Sequence, residues 1–250
     1  MTQPTPVRIG TSDLAVAPLA LGGNVFGWTA DRGTSFEVLD AFVAGGGNFI
    51  DTADGYSAWE PGNTGGESET IIGEWLGARG GRDRVTIATK VSSHPEFSGL
   101  AATNVLAAAD ASLGRLGTDH IDLYYAHFDD ADTPLAETVA AFSSLVDAGK
   151  VRAIGVSNYT ADRVAEWFRI ARDGGYHLPV ALQPHYNLVE RGFETNGLRE
   201  VAEAEGLSVI PYFSLAEGFL AGKYRSDADV GAPGASARAG DAAVYLNDRG

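Results

Sequence analysis

Cysteine is absent from the 250-residue sequence, and this absence removes several kinds of chemistry at once. A chain without thiols forms no disulfide, holds no metal through thiolate ligands and has no cysteine nucleophile. Since the sequence carries no mark of an oxidising compartment, a reducing one is the simplest expectation. We therefore expect a cytoplasmic protein.

The sequence also lacks long apolar runs and an excess of positive charge. No stretch approaches the roughly 18 consecutive apolar residues of a membrane-spanning helix, and residues 1–8 lack the apolar core of a secretory signal. Lys and Arg number 18 against 33 Asp and Glu, giving a formal net charge of −15. Because this charge repels phosphates and anionic lipids, we expect no nucleic-acid and no membrane partner. The oligomeric state is left open.

Short apolar runs alternate with helical patterns along most of the chain, and this alternation predicts βα units and a parallel sheet. Seven strands are predicted, of which the first ends near Gly22 and the last covers 207–211. Cap residues are predicted to start three of the helices: Thr34, Thr133 and Thr160. Residues 226–240 are rich in Gly, Ala, Ser, Asp and Pro, which predicts a mobile loop and a candidate lid.

Polar residues stand at the predicted carboxyl ends of three successive strands: Asp51, Lys90 and His127. In a closed barrel these ends meet at one mouth, and Tyr56 lies in the loop five residues beyond Asp51. Together the four residues suit delivery of a proton to a carbonyl oxygen while hydride reaches the carbon. Tyr56 would donate the proton and Lys90 would lower its pKa. Asp51 would keep Lys90 charged, and His127 would orient the carbonyl oxygen.

Each of these residues also has an ordinary structural interpretation when it is taken alone. Asp51 suits a turn cap, Tyr56 a loop, Lys90 a solvated strand end and His127 a buried, hydrogen-bonded histidine. Their occurrence together at successive strand ends favours the catalytic interpretation. Whether His127 also relays the proton is not decided by the sequence.

Five segments, in order, carry a resemblance to a known family: FIDTADGY at 49–56, GESE at 66–69, ATK at 88–90, LYYAH at 123–127 and IGVSN at 154–158. By their order and spacing the sequence resembles the aldo-keto reductase family over nearly the whole chain. The resemblance implies an α/β fold of the (β/α)8 TIM barrel type and an extended nicotinamide cofactor bound without a Rossmann domain. It also implies that Asp51, Tyr56, Lys90 and His127 form the family's catalytic tetrad. The sequence lacks a Gly-x-Gly-x-x-Gly fingerprint, which agrees with this.

The resemblance further implies which residues hold the cofactor. The carboxamide-binding residues would be Ser157, Asn158 and Gln183, and Tyr212 would stack on the nicotinamide ring. Candidates in the loop that approaches the pyrophosphate are Ser214, Leu215, Gly218 and Lys223. NADP(H) is expected in preference to NAD(H), as the family's usual coenzyme. Taken alone, Ser157 and Asn158 suit the cap of the next helix, and Tyr212 suits a core position.

Large aromatic residues near the predicted mouth suggest an apolar substrate pocket: Phe26, Trp28, Trp59 and Phe128. Packing of these side chains beneath loops is the alternative. The expected substrate is an aldehyde, a ketone or a sugar-derived carbonyl compound, reduced to an alcohol. The proposed chemistry requires no metal.

The alternation ends after seven strands, whereas the family's barrel has an eighth strand and two further helices. We therefore expect residues 1–250 to form a single barrel domain that lacks the eighth strand and last helices and is C-terminally incomplete. Two other functions are considered. One is a regulatory barrel that binds cofactor with little turnover, and the other is a Schiff-base lyase with Lys90 as nucleophile. The presence of Tyr56 beside Lys90 disfavours the lyase.

Overall fold

A sheet of seven parallel strands forms the centre of the structure, a computed structural model that describes residues 5–232 and 235–247. Strands β1 (Val7–Arg8) and β2 (Ala15–Val16) form a separate antiparallel hairpin. The sheet itself contains, in chain order, β3 (Ala20–Gly22), β4 (Phe49–Asp51), β5 (Thr86–Val91), β6 (Ile121–Ala126), β7 (Val151–Ser157), β8 (Pro179–Gln183) and β9 (Ser208–Val209). The prediction of an α/β fold with seven parallel strands is confirmed, although the last strand is shorter than the predicted 207–211.

Six helices return the chain between the strands, as parallel pairing requires. They are α1 (Arg32–Ala44), α2 (Glu67–Arg79), α3 (Ala102–Leu116), α4 (Leu135–Asp147), α5 (Ala161–Gly174) and α6 (Leu198–Glu205). Two four-residue helices, α7 (Asp227–Val230) and α8 (Ala239–Ala242), lie beyond the last strand. Each long helix buries one face against the sheet, which positions the strand ends described below.

The helix caps were predicted only in part. Thr160 caps α5, as expected. The prediction for α1 is wrong, because the Asp31 carboxylate accepts the hydrogen bond from the backbone of Thr34 and starts the helix earlier. The prediction for α4 is also wrong, because the Thr133 hydroxyl donates to Asp130 and is not used as a cap. In both cases a nearby aspartate accepts the hydrogen bond, Asp31 from the Thr34 backbone and Asp130 from the Thr133 hydroxyl.

Two apolar layers show how the sheet is shaped. An outer layer packs the sheet against the helices and contains the fully buried Trp167 and Phe142. An inner cluster joins Phe49 of β4 to Ala181 of β8, so the sheet curls towards itself as an incomplete barrel. Leu14, next to β2, packs into the same cluster. The hairpin therefore covers the interior at the end opposite to the carboxyl ends of the strands.

Helices α2 and α3 approach closely at Gly73. A Cβ atom there would lie 2.1 Å from the backbone oxygen of Arg115, whereas one at Gly77, one turn further along α2, would meet open space. We expect Gly73→Ala to lower the free energy of unfolding by about 1–3 kcal/mol, because backbone atoms must move apart. Gly77→Ala is expected to raise it by up to about 1 kcal/mol through helix propensity. Urea denaturation of both variants tests this, and equal effects would contradict the close approach.

The predicted lid at 226–240 contains residues 233 and 234, which lie outside the described residues. In its described part Ala239 is buried against Tyr224 and Ala242, although the composition predicted little burial. The reason is that Tyr224, just before the segment, supplies a large apolar surface. Arg238 lies over the ring of Trp28 at 5.3 Å. Within these described ranges, no helix combines the length and apolar character needed to cross a membrane.

Candidate active site

The carboxyl ends of β4, β5 and β6 bring the four predicted catalytic residues into one cluster. Asp51 ends β4, Lys90 is next to last in β5, and His127 directly follows β6. The Lys90 Nζ donates to Asp51 Oδ2 at 2.8 Å and to the Tyr56 hydroxyl at 3.0 Å. The rings of Tyr56 and His127 lie 5.8 Å apart, edge to face. An acid, an ammonium, a carboxylate and an imidazole thus share one mouth.

Backbone hydrogen bonds between β5 and the loop after β4 place Tyr56. The backbone N–H of Thr52 donates to the carbonyl of Ala88, and that of Asp54 donates to the carbonyl of Lys90. The chain then turns at Ser57, whose φ of 68° is left-handed and whose hydroxyl donates to the carbonyl of Phe26. The loop is therefore anchored on both sides of Tyr56.

Lys90 is fully buried and keeps its charge through its partners. Burial alone lowers the pKa of Lys90, but the Asp51 carboxylate and the Tyr56 hydroxyl outweigh it, and the net shift is upward. A third hydrogen bond runs from Nζ to the carbonyl oxygen of Thr52 at 2.7 Å. All three N–H groups of the ammonium are thus used. Asp51 is placed as the sequence predicted.

The pKa of Tyr56 differs from the expectation. Burial raises it, Lys90 opposes this rise, and Asp51 adds to it, so that the net shift is upward. The predicted effect of Lys90 is present, since its charge lowers the pKa of Tyr56, but desolvation of the phenolate by burial outweighs that effect. Tyr56 therefore holds its proton at neutral pH, and the charge of Lys90 reduces the cost of releasing it.

His127 is neutral in this environment. Burial lowers the pKa of His127 well below its usual value, and the charge of Lys90 lowers it further. The hydroxyl of Ser93 lies 3.1 Å from Nδ1. With Ser93 as the donor, the ring hydrogen stands on Nε2. A neutral imidazole donates a hydrogen bond well but is a poor proton source, so the geometry favours Tyr56 as the acid.

The predicted carboxamide-binding residues occupy the ends of the next two strands. Ser157 ends β7 and donates through its hydroxyl to the carbonyl of Gln183, which ends β8. The Gln183 side-chain amide donates to Asp51 Oδ1 at 3.3 Å. The alternative interpretation of Ser157 and Asn158 as helix caps does not hold, because Thr160 caps α5. These residues continue the polar cluster around Asp51.

Asn158 joins this cluster to Tyr212. Its Nδ2 donates to the carbonyl of His127 at 2.9 Å, and its Oδ1 accepts from the Tyr212 hydroxyl at 2.8 Å. The residue has a left-handed φ of 56°, which asparagine tolerates better than most residues. Tyr212 is half-buried, so the alternative of a core position for its ring does not hold.

The four predicted pyrophosphate residues lie on one irregular loop after β9. Ser214, Leu215 and Lys223 are exposed, and Gly218 has a left-handed φ of 101°. Three non-glycine residues of the same loop also have left-handed φ: Phe213, Ala216 and Glu217. Such strain tends to persist where a backbone shape is needed for function.

Aromatic side chains surround the mouth, though not all of those predicted. Trp59 lies edge to face with both Trp28 and Tyr56, at 5.5 and 6.3 Å between centroids. Phe128 stacks on His127 at 4.5 Å. Trp59 is 52% and Phe128 is 46% exposed. The prediction for Phe26 is wrong, because this ring is fully buried in the core between sheet and helices and lines no surface.

Asp54 is a functional candidate that the sequence interpretation missed. Its side chain is fully buried, and within the described part of the chain no side chain hydrogen-bonds to either carboxyl oxygen. Burial, reinforced by the charge of Glu69, raises the pKa of Asp54 to about 8. Glu69 is itself paired with Arg115 at 2.7 Å. The sequence does contain a sign of this role. Asp54 lies between Asp51 and Tyr56, in the loop after β4 whose backbone hydrogen-bonds to β5.

No group of three or more acidic, histidine or cysteine side chains able to hold a metal ion occurs among the residues that the structure describes. The site is instead a polar cluster of hydrogen-bond donors, one buried cation and one protonated phenol, with aromatic rings at its rim.

Comparison with known proteins gives one consistent result. Residues 18–246 match the model of the aldo/keto reductase family. Protein tas of Escherichia coli is 35% identical over 247 residues, which cover 88% of this chain and 71% of that protein. Aldo-keto reductase YhdN of Bacillus subtilis is 35% identical over 220 residues, covering 86% of this chain and 62% of that protein.

A fungal relative matches over a similar range. Norsolorinic acid reductase B of Dothistroma septosporum is 34% identical over 225 residues, which are 83% of this chain and 55% of that protein. The chain thus spans between 55% and 71% of the length of these three relatives.

Proposed function

The chain belongs to the aldo/keto reductase family, and we propose that it reduces an aldehyde or ketone to an alcohol with hydride from a nicotinamide cofactor. The observation that carries this proposal is the hydrogen bond between the buried Lys90 ammonium and the Tyr56 hydroxyl. It puts a protonated acid beside a charge that stabilises its conjugate base, with a neutral imidazole at the same mouth.

The four residues divide the work of the reaction. When bound, a reduced nicotinamide would be the source of the hydride for the carbonyl carbon. The Tyr56 hydroxyl gives its proton to the carbonyl oxygen, and Lys90 stabilises the phenolate that remains. His127 orients the carbonyl by a hydrogen bond from Nε2 and stabilises the developing negative charge. Asp51 keeps Lys90 charged through the 2.8 Å ion pair.

The residues around Asp51 fit a nicotinamide. The amides of Asn158 and Gln183 and the hydroxyl of Ser157 offer the donors and acceptors that a carboxamide needs. Tyr212 offers a half-buried aromatic ring beside them. We propose the loop with Ser214, Leu215, Gly218 and Lys223 for the pyrophosphate. NADP(H) is proposed over NAD(H), in line with the family's usual coenzyme.

The aromatic rim supports a carbonyl substrate with an apolar part. Trp59 lies beside Tyr56 and Phe128 beside His127, both with exposed ring surface, and the partly buried Trp28 packs against Trp59. We propose these three rings as the substrate pocket and the cytoplasm as the compartment. The net charge of −15 supports the absence of nucleic-acid and membrane partners. A single catalytic barrel domain over residues 1–250 is part of the same proposal.

Two observations weigh against the other candidate functions. A Schiff-base lyase needs a neutral lysine nucleophile, whereas the pKa of Lys90 is raised by Asp51 and Tyr56 against the effect of burial. A regulatory barrel without turnover has no need of a protonated Tyr56 held against a buried cation. The arrangement therefore favours the reductase over both.

Titration of the chain with NADPH and, separately, NADH tests the proposal, with quenching of tryptophan fluorescence as the signal. We expect tighter binding of NADPH, followed by oxidation of the bound cofactor when an aromatic aldehyde is added. Binding without turnover over a panel of aldehydes and ketones would favour the regulatory barrel. Failure of both coenzymes to bind would contradict the proposal for residues 1–250. Borohydride trapping of a carbonyl compound on Lys90 would favour the lyase.

A further inference from the structure

Tyr212 is held in place by a hydrogen bond of its hydroxyl and by contacts of its ring with His185 and Phe213. Its hydroxyl donates to Asn158 Oδ1 at 2.8 Å. Its ring stacks on the imidazole of His185, with 5.0 Å between centroids and 14° between planes. The hydroxyl bond fixes one end of the ring but leaves rotation about the long axis of the side chain. The stack with His185 therefore sets the plane of the ring.

His185 is in turn fixed by contacts from two other segments. Its Nε2 lies 3.0 Å from the hydroxyl of Tyr245, in the segment that follows α8. The ring of Phe213 meets it edge to face at 5.6 Å. The backbone also contributes, since the N–H of Tyr212 donates to the carbonyl of Pro184 at 3.1 Å. His185 is thus a rigid support for the ring it contacts.

Tyr212 and His185 border an open cleft, and one further ring contacts Tyr212. A cleft of about 180 Å³ separates Asn158, His185 and Tyr212 from the loop that carries Phe193. Phe213 meets the Tyr212 ring edge to face at 5.0 Å, whereas His185 is the ring that stacks on its face among the described residues. Burial lowers the pKa of His185 below its ordinary value, and the opposing effect of the Glu190 charge is smaller. The ring behind Tyr212 is therefore a neutral imidazole near neutral pH.

We propose that His185 is a positioning residue for the nicotinamide ring: by stacking on Tyr212 it fixes the plane against which that ring packs. The inference rests on the proposed function, because it assumes a nicotinamide on the free side of Tyr212. Through Asn158 the same support reaches the backbone of His127. The angle of the cofactor ring and the position of the carbonyl-orienting residue are thus set by one connected set of contacts.

The test compares three variants by their dissociation constants for NADPH and for ADP-ribose 2′-phosphate, a fragment without the nicotinamide. We expect His185→Ala to weaken NADPH binding about three- to tenfold, the range of an aromatic stack, and to leave fragment binding unchanged. His185→Phe keeps the stacking surface and should restore NADPH binding to within about twofold of the wild type. His177→Ala, at the other end of β8 and exposed, is the matched control and should match the wild type for both ligands.

Several outcomes would overturn the inference. Unchanged NADPH binding in His185→Ala would show that Tyr212 does not depend on the stack. Equal weakening for NADPH and the fragment would indicate a general structural role. Should His185→Ala not fold, Tyr245→Phe removes only the hydroxyl that contacts His185 Nε2, and unchanged NADPH affinity in that variant would count against the inference. If the wild type itself binds no NADPH, the proposed reductase function is contradicted. Failure of the inference about His185 is different, because the wild type then binds NADPH and only the effect of the variant is missing.

Discussion

Replacement of Tyr56 by phenylalanine is expected to lower kcat for carbonyl reduction by about 10²- to 10⁴-fold, the usual contribution of a positioned general acid. The variant keeps the aromatic ring beside Trp59 and loses only the hydroxyl that contacts Lys90. Affinity for the reduced cofactor should stay within about twofold, since no contact proposed for the nicotinamide involves this hydroxyl. Single-turnover kinetics with saturating NADPH separates the chemical step from cofactor binding.

Tyr186→Phe is the matched control for that experiment. Its hydroxyl donates to Glu194 in the loop after β8, away from the tetrad, and its removal should leave kcat unchanged. If Tyr56→Phe retained most of the wild-type kcat, the proton would have to come from another group. His127 is a poor candidate because its pKa is well below the ordinary value, so such a result would count against the whole proposed mechanism.

Replacement of Asp54 by asparagine is expected to stabilise the protein, and increasingly so as the pH rises. The folded protein holds Asp54 with a pKa of about 8, against an ordinary value of 3.8. Between these two pH values the unfolded chain releases the proton while the folded chain keeps it. The wild type therefore loses stability across this window, by at most about 1.4 kcal/mol per pH unit, and no further above it.

The asparagine variant avoids this loss because its side chain does not ionise. Its advantage in free energy of unfolding should be smallest near about pH 4, grow through neutrality and level off above about pH 8. Urea denaturation at several pH values measures it. Asp132→Asn, an exposed aspartate in the loop after β6, is the control and should stay within about 0.5 kcal/mol of the wild type. Parallel curves for wild type and Asp54→Asn would show that Asp54 is ionised in the folded state.

Much of the fold could be predicted from the sequence, because strands and helices follow from the local pattern of apolar residues. Alternation of apolar runs and helices located all seven strands of the sheet. The rule that active-site groups stand at carboxyl ends of parallel strands then selected Asp51, Lys90 and His127, which the fold brings together. The position of Tyr56 followed because it lies only five residues beyond Asp51.

The rest depended on contacts between segments that are distant in sequence. The burial of Phe26 depends on its packing in the larger core cluster, which no local pattern reports. The net rise in the pKa of Tyr56 depends on how deeply the loops cover its hydroxyl, and sequence spacing carries no measure of depth. The stack of His185 on Tyr212 joins two loops whose distance only the folded chain defines. Pairing of charges was easier to predict than burial.

Asn158 shows how narrow the chemical choice at one position can be. Its Nδ2 faces the carbonyl oxygen of His127 and its Oδ1 faces the hydroxyl of Tyr212. Aspartate would place an oxygen against an oxygen, leucine would satisfy neither group, and the left-handed backbone disfavours most other side chains. One residue thus satisfies a donor, an acceptor and a backbone requirement together. We expect position 158 to accept fewer substitutions during evolution than its neighbours. Very few single codon changes preserve the donor, the acceptor and the tolerance of a left-handed backbone together.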